Sequence, residues 1–209
     1  PAMGISSEKI FKTAHWNGSY FKPFDNKKEV NKESPVFLYV GRLSEEKGVF
    51  DLPFIFSNIK EVFPKAILQI AGTGNAEKEL KDEIPDAVFL GWVDHQDLPS
   101  VYSGADMLLL PSHFDTFGCV VTEAMSCGLP VAAYDCKGPK DIISNGIDGV
   151  LGADKESLAK AIIEVFNNGM AWEMSQAALE KASHYQPEEI MNQMMLDLKL
   201  KTQISKSPA

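Results

Sequence analysis

Apolar and polar positions follow two rhythms along this chain. From residue 36 onward, short, mainly apolar runs, the first of them continuous, are separated by longer stretches with an apolar residue every third or fourth position. The runs occupy residues 36–40, 67–71, 88–90, 107–110, 131–134 and 149–151. An apolar run without alternation is what a strand buried on both faces needs. Between the runs the spacing predicts helices. Residues 48–63 place Leu52, Ile55, Ile59 and Phe63 on one side and stop before Pro64. Residues 76–83 read as a charged surface helix, and 97–104 as a short helix with Asp97 as a candidate N-cap. A helix over 117–127 ends at Gly128 as its C′ residue. A glycine-punctuated segment, 138–152, holds a short helix before the sixth strand. Three further helices follow, over 156–167, 171–183 and 188–202. Met191, Met194 and Met195, with Leu196 and Leu198, are expected to form the packing face of the last one.

Strand and helix alternating at this spacing means βαβ units and a parallel sheet. The expected fold class is α/β, a Rossmann-like parallel six-stranded sheet with helices on both faces and extra helices at the C-terminal end. Ahead of it, residues 9–12 resemble a short edge strand, 15–28 are turn-rich, and 29–35 form a polar linker. The expected organisation is therefore an N-terminal edge strand and linker over 1–34, with 1–3 as a tag remnant. A Rossmann-like domain over 35–168 and C-terminal helices over 169–209 complete it.

Composition narrows the class. The chain has 209 residues, 44% hydrophobic and 23% charged, with 12 Phe, 5 Tyr and 3 Trp to build a core, so disorder as the main state is excluded. No apolar run approaches the roughly 18 residues of a membrane span, and no secretory leader is read at the start. The formal charge of −9 argues against non-specific nucleic-acid binding. An anionic ligand therefore requires a local positive site. Cys119, Cys127 and Cys136 cannot pair completely, and none forms a C-x-x-C motif. They read as reduced, mostly buried thiols of a cytoplasmic protein.

In parallel sheets, ligands bind beyond the carboxyl ends of the strands. Three unusual segments fall there: 41–48, 72–74 and 112–118. In the first, Gly41 lets the chain leave the strand, Arg42 offers a bidentate fork and Lys47 a point charge. This pair could clamp a diphosphate, or the loop could be solvated with Glu45 and Glu46 paired locally. It has neither P-loop nor G-x-G-x-x-G spacing. In the third segment, Asp115 stands at a strand end and Gly118 opens a helix whose first N–H groups make an anion site. Glu123 leans back toward that end. A carboxylate there suits two neighbouring hydroxyls of a sugar or ribose. The alternative is that Asp115 only caps the helix and Glu123 is surface.

These residues carry a family resemblance. Phe37-Leu38-Tyr39-Val40-Gly41-Arg42-Leu43-Ser44, Lys47-Gly48, Ala71-Gly72-Thr73-Gly74 and Phe89-Leu90-Gly91 come first. Ala105-Asp106, Asp115-Thr116-Phe117-Gly118 and the run from Glu123 through Gly128-Leu129-Pro130-Val131 follow in order. The chain resembles the C-terminal, donor-binding domain of GT-B fold glycosyltransferases of family 4, also called group 1. The family's E-x7-E motif falls on Asp115 and Glu123, with Asp in the first place. Ala132-Ala133-Tyr134 and Gly138-Pro139-Lys140-Asp141 match the branch that reads D-T-F-G.

The resemblance implies transfer of a glycosyl group, with retention, from a nucleoside-diphosphate sugar to an acceptor hydroxyl. It implies no metal and no cofactor. Arg42 and Lys47 would hold the diphosphate, helped by backbone N–H groups of Gly118, Cys119 and Val120. Asp115 would hold the donor sugar and Glu123 the ribose. The base would sit between Gly72–Gly74 and Trp92–Val93. The implied donor-binding set is Gly41, Arg42, Lys47, Gly72, Val93, Asp115, Phe117, Gly118, Cys119, Val120 and Glu123. Of these, Arg42, Lys47, Asp115 and Glu123 carry the chemistry.

Other residues carry less. His15, His95, His113 and His184 have no ligand spacing, and His113 reads as a partly exposed loop histidine. Cys127 reads as buried packing. Asn17-Gly18-Ser19 fits a sequon that a cytoplasmic chain would not use. Ser112 and Ser126 lack a G-x-S-x-G elbow. The length accounts for only one half of a GT-B enzyme, so the acceptor site is expected in an N-terminal partner domain outside this chain. The fragment alone would bind donor without efficient turnover. A non-catalytic nucleotide-sugar-binding module is the competing reading, and an epimerase of the same fold is disfavoured by the layout of the charged residues.

Overall fold

The computed structural model describes residues 15–23 and 33–204. The edge strand expected over 9–12, the tag remnant and most of the linker lie outside the described residues. Six strands are present: β1 Val36–Val40, β2 Ile67–Ala71, β3 Val88–Gly91, β4 Met107–Leu110, β5 Val131–Tyr134 and β6 Gly149–Gly152. They form one all-parallel sheet in the order β3-β2-β1-β4-β5-β6. This is the strand order of doubly wound dinucleotide-binding sheets, with the reversal between β1 and β4.

The helices are α1 Leu52–Val62, α2 Glu77–Glu83, α3 Leu98–Ser103, α4 Cys119–Ser126, α5 Pro139–Ile142, α6 Lys155–Asn167, α7 Ala171–Ser183 and α8 Pro187–Ile204. They cover both faces, and alternation along each strand decides which face each residue serves. Phe37, Tyr39, Leu68, Ile70, Met107 and Leu109 pack with α1, α2 and α6. Leu38, Val40, Leu108, Leu110, Val131 and Ala133 pack with α3, α4, α5 and α7. The central strands β1, β4 and β5 read as unbroken apolar runs because each buries both sides, whereas the edge strand β3 leaves Val88 and Leu90 exposed.

Several sequence expectations are corrected. The stretch expected to be helical from Gly48 begins with a 3₁₀ turn, Val49–Asp51, and only becomes α-helical at Leu52, with Pro53 in its first turn. Asp97 stands at the N-cap position of α3 as expected, but it already has helical dihedrals and its side chain makes no cap hydrogen bond. The helix expected from Phe117 starts at Cys119. Of the cysteines only Cys127 is buried; Cys119 is exposed and Cys136 intermediate. The methionine face of α8 is open, with Met191 and Met195 each half exposed, and among the described side chains of that helix only Ile190 is buried. The expected Gly128 closure is present: Leu129 N–H reaches the Ala124 carbonyl and Gly128 N–H that of Met125. Among the described residues no helix is long and apolar enough to cross a membrane.

Two close approaches shape the carboxyl end of the sheet. Gly41 N–H pairs with the Ala71 carbonyl, Leu43 N–H with that of Thr73, and Gly72 N–H with that of Gly91. The turn after β2 is thereby tied to the loop after β1 on one side and to β3 on the other. A Cβ on Gly72 would lie 1.9 Å from the Gly41 carbonyl oxygen, so only glycine lets these loops meet.

Candidate functional site

The reversal between β1 and β4 places the loop of residues 41–48 beside the loop of residues 111–118. Lys47 Nζ lies 2.9 Å from Asp115 Oδ2, with both side chains mostly covered. The other oxygen, Asp115 Oδ1, accepts from Gly118 N–H at 3.1 Å. One carboxylate thus joins the cation of the first loop to the start of α4. Gly118 N–H is engaged there, and the N–H groups of Cys119 and Val120 are the ones that open α4, where no intrahelical carbonyl can reach them. Arg42 is 68% exposed and pairs with Glu46 at 2.8 Å, as the locally paired reading of that loop has it. Ser44 and Ser112, in the same two loops, carry buried hydroxyls without a partner among the described residues.

Glu123 is not a surface residue: its side chain is 12% exposed. Tyr102, fully buried on α3, donates its hydroxyl to Glu123 Oε2 at 3.0 Å. His95 Nε2 lies 3.1 Å from Glu123 Oε1. An ionised carboxylate only accepts, so Nε2 carries the hydrogen, and in the neutral imidazole Nδ1 then accepts from Tyr20 Oη at 3.2 Å. Burial pushes the Glu123 carboxyl above the usual carboxylate range, opposed by the Tyr102 hydrogen bond and by His95. Burial, and then the charge and hydrogen bond of Glu123, push the Tyr102 phenol well up.

Beside these groups lies a cavity of about 350 Å³, open to solvent. Gly41, Arg42, Gly72 and Thr73 form one wall, and Trp92, Val93 and His95 the other. Gly72 and Val93 of the expected donor-binding set both line this cavity. Phe117 does not face this cavity: its ring packs on His15 at 4.9 Å and Tyr185 at 6.2 Å. His113 is 62% exposed, 3.5 Å from Asp51, with its ring against Tyr134. Asn17 of the would-be sequon is buried and bridges Ser126 Oγ and Thr122 Oγ1, both at 2.8 Å, strapping residues 15–23 onto α4. Among the described residues, no three His, Cys, Asp or Glu side chains converge as metal ligands would.

Sequence reading missed Tyr102 and discounted His95. Tyr102 is 21 positions from Glu123 and His95 is 28, and neither sits in a motif. The packing of α3 against α4 brings Tyr102, and the turn between β3 and α3 brings His95, to one carboxylate.

The fold and this cleft define the C-terminal half of a GT-B architecture. Comparison with known proteins agrees. The "Glycosyl transferases group 1" family matches residues 21–184, and the chain belongs to that family. It is 32% identical over 162 residues to a GDP-mannose-dependent alpha-mannosyltransferase of Corynebacterium glutamicum, covering 75% of this chain and 38% of that protein. Among solved structures it resembles sucrose-phosphate synthase of Thermosynechococcus elongatus, with a TM-score of 0.76 and 25% identity, covering 92% of this chain and 52% of the other. HepE of Anabaena, solved in complex with UDP-glucose, matches with a TM-score of 0.67 and 25% identity, covering 78% and 48%. The chain thus spans about half or less of each of these proteins.

Proposed function

We propose that this chain is the donor-binding domain of a retaining, metal-independent glycosyltransferase. Its acceptor site would lie in an N-terminal half outside the chain. The observation that carries this is the 350 Å³ cavity lined by Arg42, Gly72, Trp92 and Val93 at the carboxyl end of the sheet, the end at which the loops after β1 and β4 bring Lys47 and Asp115 together. The base of a nucleoside-diphosphate sugar fits between Gly72–Thr73 and Trp92–Val93. Its ribose reaches toward Glu123, and its diphosphate toward Arg42, Lys47 and the N–H groups of Cys119 and Val120. In the reaction the bond from the sugar C1 to the phosphate oxygen breaks and the electron pair leaves with the diphosphate. The acceptor hydroxyl forms the new bond and passes its proton to the phosphate oxygen that has just gained the electron pair. Charge developing on the leaving diphosphate is where fixed cations and helix N–H groups lower a barrier most. Asp115 holds sugar hydroxyls, after Lys47 has turned from it toward the phosphates.

The names of the relatives support this reading: one is GDP-mannose-dependent, and one was solved with UDP-glucose. The protein works in the cytoplasm, and this domain alone binds donor without turning it over efficiently. Calorimetric titration of UDP-, GDP- and ADP-sugars in EDTA tests it. Binding of one base class without metal is expected. Binding only after adding Mg²⁺ or Mn²⁺, or none at all, would overturn the proposal.

A further inference from the structure

Glu123 has two oxygens with two different kinds of partner. Oε2 is held by the hydroxyl of Tyr102, which is wholly buried and cannot leave without opening the core. Oε1 is held by His95, whose side chain is 56% exposed and stands in the turn after β3. His95 lines the cavity, whereas Glu123 does not, so the imidazole stands between the cavity and the carboxylate. Tyr20 on Nδ1 and the ring of Phe21 at 5.0 Å hold the imidazole in that pose.

A carboxylate this covered is costly to leave without donors. The Nε2–H of His95 supplies one from the solvent side, and a ribose hydroxyl would supply the same kind of donor from the same direction. We infer that His95 is an exchangeable placeholder on Glu123, occupying Oε1 while the site is empty and giving way to a ribose hydroxyl of the bound nucleotide. Tyr102 stays in place and keeps the carboxylate aimed. The inference rests on the donor-site reading above and adds to it a residue that opposes binding. Displacing one partly exposed hydrogen bond reduces affinity by about three- to tenfold. The penalty falls only on ligands that need Oε1.

The test compares UDP with 2′,3′-dideoxy-UDP, and GDP with its dideoxy analogue, by calorimetry on the intact chain. His95→Ala should tighten the ribonucleotide about three- to tenfold and leave the dideoxy analogue unchanged. His95→Gln, which retains a donor, should bind close to wild type and guards against a folding defect in the alanine variant. In a Glu123→Gln background, His95→Ala should have no effect. Equal change in both ligands, or no change in either, overturns the placeholder. Weaker ribonucleotide binding by His95→Ala also overturns it, since His95 would then itself be a ribose contact. If Glu123→Gln weakens ribonucleotide and dideoxy analogue alike, the donor-site reading itself is what fails.

Discussion

Glu123 is kept in an environment that favours its neutral form, and that has a consequence for stability. A carboxyl whose pKa is raised in the folded state contributes stability below its unfolded pKa and loses it as pH rises through the folded value. At neutral pH the ionised side chain therefore works against the fold. Glu123→Gln is expected to melt higher than wild type at about pH 8, with the gap closing as the pH falls below the unfolded glutamate value of about 4.3. Thermal unfolding across that range checks it, and a gap that widens in acid would contradict it. Arg42 and His113 make a second residue-scale contrast. Arg42 lines the cavity, while His113 is held by Asp51 and Tyr134. Arg42→Ala should lower affinity for a nucleoside diphosphate by about tenfold or more, the size of one charge-assisted bidentate contact. His113→Ala should leave it within about twofold. Calorimetry with UDP and GDP measures both, and equal losses would remove Arg42 from the diphosphate site.

At the scale of elements, the site depends on how closely two loops approach. Gly48 closes the 3₁₀ turn Glu45–Lys47 at φ +65°, and a Cβ there would lie 1.7 Å from the Pro111 carbonyl oxygen. Gly146 has a similar φ, +79°, but nothing within 4 Å. Gly146→Ala should cost about 1–2 kcal/mol, the price of a left-handed alanine. Gly48→Ala should cost more, about 3 kcal/mol or beyond, because the loops bearing Lys47 and Asp115 must also separate. Urea unfolding gives both numbers, and only Gly48→Ala should weaken nucleotide binding. Similar losses in the two variants would mean that the contact between the loops adds nothing to the conformational strain. How much of the elements was legible follows the same division. The central strands β1, β4 and β5 were readable because burial on both faces leaves unbroken apolar runs, and the others by their alternation with helical spacing. The start of α4 was not, because Gly118 adopts φ +88° and Asp115 takes its N–H, which delays the helix to Cys119.

For the whole molecule, ligand and fold are linked. A nucleotide that binds only the folded chain stabilises it by about 2.7 kcal/mol at a hundredfold excess over its Kd. The preferred nucleoside diphosphate should therefore raise the melting temperature in EDTA, by an increment that grows with the logarithm of its concentration. A shift that requires a divalent cation would count against metal-independent binding. The same linkage should be weaker in Arg42→Ala, which ties the residue-scale contrast to the global readout.

The sequence by itself determined the parallel α/β sheet and the family, and it singled out the strand ends at which Lys47 and Asp115 meet. These depend on apolar periodicity and on short motifs, which are local properties of the chain. Lys47, Asp115 and Glu123 were visible for the same reason, each standing in a motif next to a strand or helix end. The tertiary structure alone decided that Asp115 bridges Lys47 to Gly118, and that Tyr102 and His95 divide the two oxygens of Glu123. It alone decided that Asn17 is a buried strap rather than an exposed acceptor, and that the methionines of α8 stay open. Such contacts join residues far apart in the chain. A side chain's pattern tells which face it occupies, but its partner depends on what another element carries to the same place.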